Sequence, residues 1–181
     1  YSKESCYLEN DDFIGVRKDY GNGGKYAFVG LLPKAEGDLE KSINKLNGEK
    51  LAALMQSGID AVVKTAIPKF KCEYEIEMKE ALENMGMTNA FDSAVADFTK
   101  LGSSNLDGNI FVSEVLQKTY IAVDEKGTKA AAATAVDLAT ESAVEEDPEV
   151  KRVYLDRPFI YLIMDVEHNV PLFMGTVCTF E

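Results

Sequence analysis

The side chains able to do chemistry are few in kind. The single histidine, His168, follows Glu167 and lies close after Asp165, in a predicted turn. Imidazole beside carboxylate can move protons near neutral pH. A turn histidine with acidic neighbours is ordinarily just exposed, however, and no Ser or Cys accompanies it in a known nucleophile motif. Cys6, Cys72 and Cys178 are odd in number and widely spaced, showing neither a disulfide framework nor a zinc motif. They read as small apolar fillers. The 31 acidic residues do not recur at the spacing of a metal loop such as an EF-hand. Gly21-Asn22-Gly23-Gly24 lacks the Lys-Ser/Thr continuation and the following helix of a phosphate loop. Neither a cofactor nor a metal is expected.

The most distinctive stretch of the chain is a tract of small side chains. Asp124-Glu125-Lys126-Gly127 leads into Thr128-Lys129-Ala130-Ala131-Ala132-Ala133-Thr134-Ala135-Val136, and from Ala130 to Ser142 there is no Gly, Pro or aromatic residue. Ala favours helix intrinsically, and small side chains also fit between existing strands. Within 129–141 the charges Lys129, Asp137 and Glu141 all fall on odd positions, while the even positions are uncharged. A strand would carry them on one face. Their spacing also gathers them near one helical face, so periodicity leaves both states open.

The elements around this segment read as follows. Cys6–Leu8 and Phe13–Val16 are short strands about Asn10-Asp11-Asp12, and the glycine turn leads to a buried strand, Tyr26–Leu32, ended by Pro33. Asp38 caps a short helix reaching Leu46. A second, starting at Asn47 or Glu49, carries Leu51, Leu54 and Met55 on one face until Gly58 stops it. Ala61–Ile67 is a strand that Lys69–Ile76 extends beyond Pro68. Met78, Ala81, Leu82 and Met85 line a helix ended by Gly86, and the methionines read as core. Residues 90–107 are turn-rich. Ile110–Val123 is the longest strand candidate, about fourteen residues, which implies a large sheet. Glu145-Glu146-Asp147-Pro148-Glu149 is a solvated acidic loop. Val153–Leu155 is a strand, and Phe159–Met164 with Pro171–Val177 forms a hairpin expected to be buried on both faces.

The length allows one domain with a sizeable core. A net charge of -12 argues against nucleic acid, polyanions and acidic membrane surfaces as partners. No apolar run is long enough to span a membrane, and no signal peptide is present. The sequence opens at Tyr1 without Met, so an upstream part is expected, and the missing signal is silent about compartment.

Several motifs, in order, resemble one family. Glu125-Lys126-Gly127-Thr128-Lys129-Ala130-Ala131-Ala132-Ala133-Thr134 is similar to the hinge of the inhibitory serpins. Val153-Tyr154-Leu155-Asp156-Arg157-Pro158-Phe159-Ile160-Tyr161-Leu162-Ile163 resembles the segment after their reactive loop, and Pro171-Leu172-Phe173-Met174-Gly175 their final strand. Asn84-Met85-Gly86-Met87-Thr88-Asn89-Ala90-Phe91, Ala96-Asp97-Phe98 and Phe28-Val29-Gly30-Leu31-Leu32-Pro33 also fit. The resemblance runs from about Tyr7 to the end.

It implies an α+β fold of mixed β-sheets with helices. It implies that the chain is the C-terminal portion of a single serpin domain, with the reactive loop at about 126–150. It implies a non-enzymatic suicide inhibitor of serine proteases. The loop is offered as bait, forms an acyl-enzyme, and inserts into the large sheet as a new strand, releasing free energy held behind a kinetic barrier. Gly127 lets the chain turn at the hinge, and Thr128 and Ala130, small and uncharged, enter first. By resemblance the cut falls about sixteen residues beyond Glu125, at Glu141-Ser142, with Leu138, Ala139 and Thr140 as alternatives. The family pattern also implies an ion pair between Lys69 and Glu125 where the loop enters. No Lys or Arg lies between Ala130 and Val150, so elastase-like, subtilisin-like or glutamyl-specific proteases are the expected targets rather than trypsin-like ones. An extracellular, secreted location follows from the resemblance alone.

Two departures matter. The family domain is about twice this length, so this is a fragment or truncated product, able to self-associate through strand addition. Gln117 stands where relatives commonly have a histidine beneath the opening sheet; an amide still donates and accepts, without a pH-dependent charge. The competing readings are a non-inhibitory binding or storage protein on the same fold, and an inactive self-associating fragment.

Overall fold

A computed structural model describes residues 2–21, 23–35, 37, 39–103, 108–124 and 150–179. They fall into two compact units, residues 1–70 with 123–181, and residues 71–122.

The first unit is built on a seven-stranded sheet. Its strands are β1 (Ser2–Glu9), β2 (Phe13–Asp19), β3 (Tyr26–Pro33), β4 (Ile59–Ala66), β7 (Lys151–Tyr154), β8 (Phe159–Asp165) and β9 (Val170–Val177), in the order β7-β4-β1-β2-β3-β8-β9. Every pair is antiparallel except β4 with β7. Local chemistry sets the turns. Asn10 Oδ1 accepts the N–H groups of Asp12 (3.0 Å) and Phe13 (2.7 Å), reversing the chain between β1 and β2. Gly21 and Gly24, both at positive φ, allow the β2–β3 hairpin that the glycine run predicts.

Two helices, α1 (Leu39–Lys45) and α2 (Gly48–Gln56), connect β3 to β4. Asn47 caps α2, its side chain accepting the Lys50 N–H at 2.9 Å. Leu51 and Leu54 of α2 pack into a core with Cys6, Leu8, Phe13, Val29, Leu31, Ile160, Leu162 and Met164. A Cβ at Gly58 would run into the Cys6 sulfur, so the residue that stops α2 also lets the chain pass close over β1. The predicted cap of α1, Asp38, lies outside the described residues.

On the other side of the sheet, Phe70 packs edge-on to Phe159 (5.8 Å between centroids) and tilted against Tyr161 (5.4 Å). The C-terminal hairpin departs from expectation. β8 is buried on both faces along most of its length, but β9 is not: Val170, Leu172, Phe173 and Met174 are about half exposed. β9 is the last strand of the sheet, so among the described residues it is paired on one side only.

The second unit pairs β5 (Phe70–Glu77) with β6 (Leu116–Val123). Between them lie α3 (Lys79–Asn84), a 3-10 turn at Asn89–Phe91, and an irregular stretch held by side-chain turns. Asp92 Oδ1 accepts the Ala94 N–H, and Asp97 Oδ1 accepts both donors of Thr99. Three expectations are corrected here. β5 does not extend β4: Pro68 removes a ladder donor and restricts Ile67, and the two strands join different sheets. The fourteen-residue strand is eight residues long, Leu116–Val123. Before it, Val112 donates to Ala90 and the Val115 carbonyl accepts from Met78, single bonds to a turn and a helix start rather than a ladder. The methionines flanking α3 are not core: no α3 residue is buried, Met78 is half-buried and Met85 is exposed.

Candidate functional site

The segment of interest leaves β6 at Val123, in the two-stranded sheet, and returns at Lys151 on β7, in the seven-stranded sheet. Residues 125–149, between these two strands, lie outside the described residues.

The departing strand carries Gln117, whose Nε2 reaches Thr119 Oγ1 on its own strand at 3.4 Å, and Lys118, which pairs with Glu75 of β5 at 2.8 Å. Both members of that pair are exposed, so it contributes about 0–1 kcal/mol.

The returning strand is short but well anchored. Lys151, Arg152, Val153 and Tyr154 stand opposite Val63, Lys64, Thr65 and Ala66 of β4. Val153 and Leu155 are buried, and the Leu155 N–H continues the pairing to the Ala66 carbonyl at 2.8 Å. A Cβ at Gly30 would stand 2.6 Å from a Leu155 methyl, so glycine there is what admits Leu155. Arg157 Nη2 donates to the Pro33 carbonyl at 3.0 Å. The Lys151 ammonium lies over the Tyr7 ring, 5.5 Å from its centroid. The Tyr7 hydroxyl donates to Glu9 Oε2 (3.0 Å), and Lys34 Nζ binds Glu9 Oε1 (2.7 Å). Hydrogen bonds from Lys34 and then Tyr7 hold the Glu9 carboxyl below its usual range.

Of the sequence-derived site residues, Glu125, Lys126, Gly127, Thr128, Lys129, Ala130, Ala131, Ala132, Ala133, Leu138, Ala139, Thr140, Glu141 and Ser142 lie outside the described residues. Lys69 is described and exposed, just before β5, but Glu125 is not, so the proposed pair is undefined. His168 is exposed: its N–H and Nδ1 both engage the Asp165 carboxylate at 3.1 Å. Those bonds, the backbone one foremost, hold Asp165 below its usual range. His168 thus closes a turn. Burial pushes the Cys6 thiol up, away from a reactive thiolate. Among the described residues no group of three or more His, Cys, Asp and Glu is placed to hold a metal, and no helix is long and apolar enough to cross a membrane. The seating of Lys151 on Tyr7 is absent from the sequence reading. The alternation Lys151, Val153, Leu155, which puts a cation on the inward face, was its signal.

Comparison with known proteins identifies the architecture. The family model described as "Serpin (serine protease inhibitor)" matches residues 2–180. The chain is 38% identical over 172 residues to an uncharacterised serpin-like protein of Thermococcus kodakarensis, covering 95% of this chain and 38% of that protein. It is 34% identical over 156 residues to intracellular coagulation inhibitor 2 of Tachypleus tridentatus, covering 86% and 36%. Among solved structures, the thermophilic serpin tengpin in its native state matches with a TM-score of 0.80 and 43% identity, covering 98% of this chain and 44% of that one. The chain therefore spans about two-fifths of the length of the relatives it matches. Their mixed sheets and few helices are those seen here, and the chain belongs to the serpin family.

Proposed function

We propose that this chain is the loop-bearing C-terminal portion of a serine-type protease inhibitor, a suicide substrate whose cleaved loop inserts into the large sheet. The observation that carries this is the segment between β6 and β7. It joins strands of two different sheets, and its sequence from Thr128 to Val136 is small and, Lys129 apart, uncharged. Such a strand can enter a sheet without steric conflict, and it completes a hydrogen-bond ladder when it does.

On this reading residues 126–150 are the reactive loop and 125–133 its hinge. Glu141-Ser142 is the scissile bond, with Leu138, Ala139 and Thr140 as alternatives. Lys69 and Glu125 pair where the loop enters, worth about 0–1 kcal/mol if partly exposed. The partner is an elastase-like, subtilisin-like or glutamyl-specific protease. The protein is consumed rather than turning over, needs no cofactor, and acts outside the cell. Replacing Thr128 with Arg in the full-length gene product tests the mechanism. Insertion should stall, so that the protease cuts the loop and departs active. Undiminished trapping by Thr128→Arg contradicts insertion.

A second reading, self-association of the 181-residue chain, is favoured by β9, which exposes four apolar side chains on an outermost strand.

A further inference from the structure

We propose that Asn47-Gly48 is a site of spontaneous covalent modification, gated by the α2 cap, at which Asn47 converts to aspartate or isoaspartate.

The chemistry starts from two neighbours. In an Asn-Gly pair no Cβ shields the nitrogen that follows the asparagine. The Gly48 nitrogen attacks Asn47 Cγ. A C–N bond forms, the Cγ–Nδ2 bond breaks, and ammonia leaves with the proton that Gly48 gives up. The product is a five-membered succinimide. Water then opens it at either carbonyl. One opening gives aspartate, and the other gives isoaspartate, in which the backbone runs through the former side-chain carbon. Water is the only other reactant.

The folded chain exposes this pair and also restrains it. Both residues are exposed, and a Cβ at Gly48 would meet nothing within 4 Å. Gly48 is the first residue of α2, so its N–H belongs to the turn that has no intrahelical acceptor. The nucleophile is therefore not engaged by the helix. The electrophile is held. Asn47 Oδ1 accepts the Lys50 N–H at 2.9 Å, and the Asn47 carbonyl accepts the Leu51 N–H at 2.9 Å. The Asn47 backbone is extended, with φ -128° and ψ 176°. Ring closure turns ψ far from that value. Attack thus requires the cap bond to break and the first turn of α2 to open.

The two products differ in what they leave behind. Aspartate caps a helix as asparagine does, and it adds a negative charge at the positive helix end. Isoaspartate inserts a methylene into the main chain and places its carboxylate directly on Cα. Neither the cap bond nor the bond to Leu51 keeps its register. Leu51 and Leu54 take their places in the core from that turn. Modification therefore records the opening of α2, and the isoaspartyl product prevents it from closing again.

The test incubates the 181-residue chain at neutral pH, folded and in urea, and follows position 47 by peptide mass spectrometry. The other Asn-Gly pair, Asn22-Gly23, lies on a different peptide. Modification should be about fivefold slower in the folded chain, the factor that one helix cap represents. An equal or faster rate in the folded chain overturns the gate. Gly48→Ala is the second arm. Its Cβ fits the open space and alanine favours helix, so the fold is kept. Modification at 47 should be nearly lost in both states, and an undiminished rate overturns attack by the Gly48 nitrogen. The third arm is hydrogen exchange on the aged chain, whose aspartyl and isoaspartyl peptides separate chromatographically. Amides 50–53 should exchange about fivefold faster in the isoaspartyl form, and at the parent rate in the aspartyl form. Equal exchange in the two forms overturns the consequence for α2.

Discussion

Tyr161 lies across Gly175, its direct partner on β9: a Cβ built at Gly175 would stand 2.5 Å from the tyrosine hydroxyl and 2.7 Å from the ring carbon that bears it. The ring fills the place of the missing side chain, and through Phe70 it continues into the aromatic group on that face of the sheet. Gly175→Ala should therefore push a buried aromatic out of its packing, destabilising the chain by about 1–3 kcal/mol. Urea denaturation of the two proteins measures this. A variant as stable as the parent would mean that the ring moves aside freely.

Asn47→Ala removes the side chain that accepts the Lys50 N–H at the start of α2. The expected loss is about 1 kcal/mol, with Asn47→Asp close to wild type. Leu51 and Leu54 depend on that first turn for their place in the core. Thermal melts followed by circular dichroism would show the ranking.

Glu9 gives a pH signature. Lys34 and Tyr7 stabilise its ionised form, so its folded pKa lies below the ordinary 4.5. The sign follows from linkage: this contribution is fully present above about pH 4.5 and is lost as pH falls through the lowered folded value. The stability gap between wild type and Glu9→Gln should thus be widest near neutral pH and close in acid. A gap that widens below pH 4 would contradict the assignment.

Legibility followed the range of the chemistry. The Asn10 turn, the Asn47 cap, the Gly58 stop and the positive-φ glycines could be read because each is settled within a few residues. The hinge proposal rests on residue type alone, since its residues lie outside the described ones. Strand limits and burial could not be read. Ile110–Val115 has the composition of a strand, but its hydrogen bonds go to Ala90 and Met78 rather than to β5. Leu172 and Phe173 look like core, yet their exposure depends on what lies beside β9. Lys151 meets Tyr7 only because β7 returns to the sheet beside β4.

The apolar outer strand carries its own expectation. Light scattering of the 181-residue chain at micromolar concentration should show oligomers, and Phe173→Lys should shift them toward monomer by placing a charge on the β9 face. A monodisperse parent chain that melts cooperatively would remove self-association from the account.

The most direct measurement takes the full-length gene product and incubates it with trypsin, elastase, subtilisin and a glutamyl endopeptidase. Products are then separated in denaturant and the cut located by mass spectrometry. The account predicts a denaturant-stable complex with one or more of the last three, cut between Leu138 and Ser142. A stable complex with trypsin alone, or cleavage by all four with no complex, would contradict it.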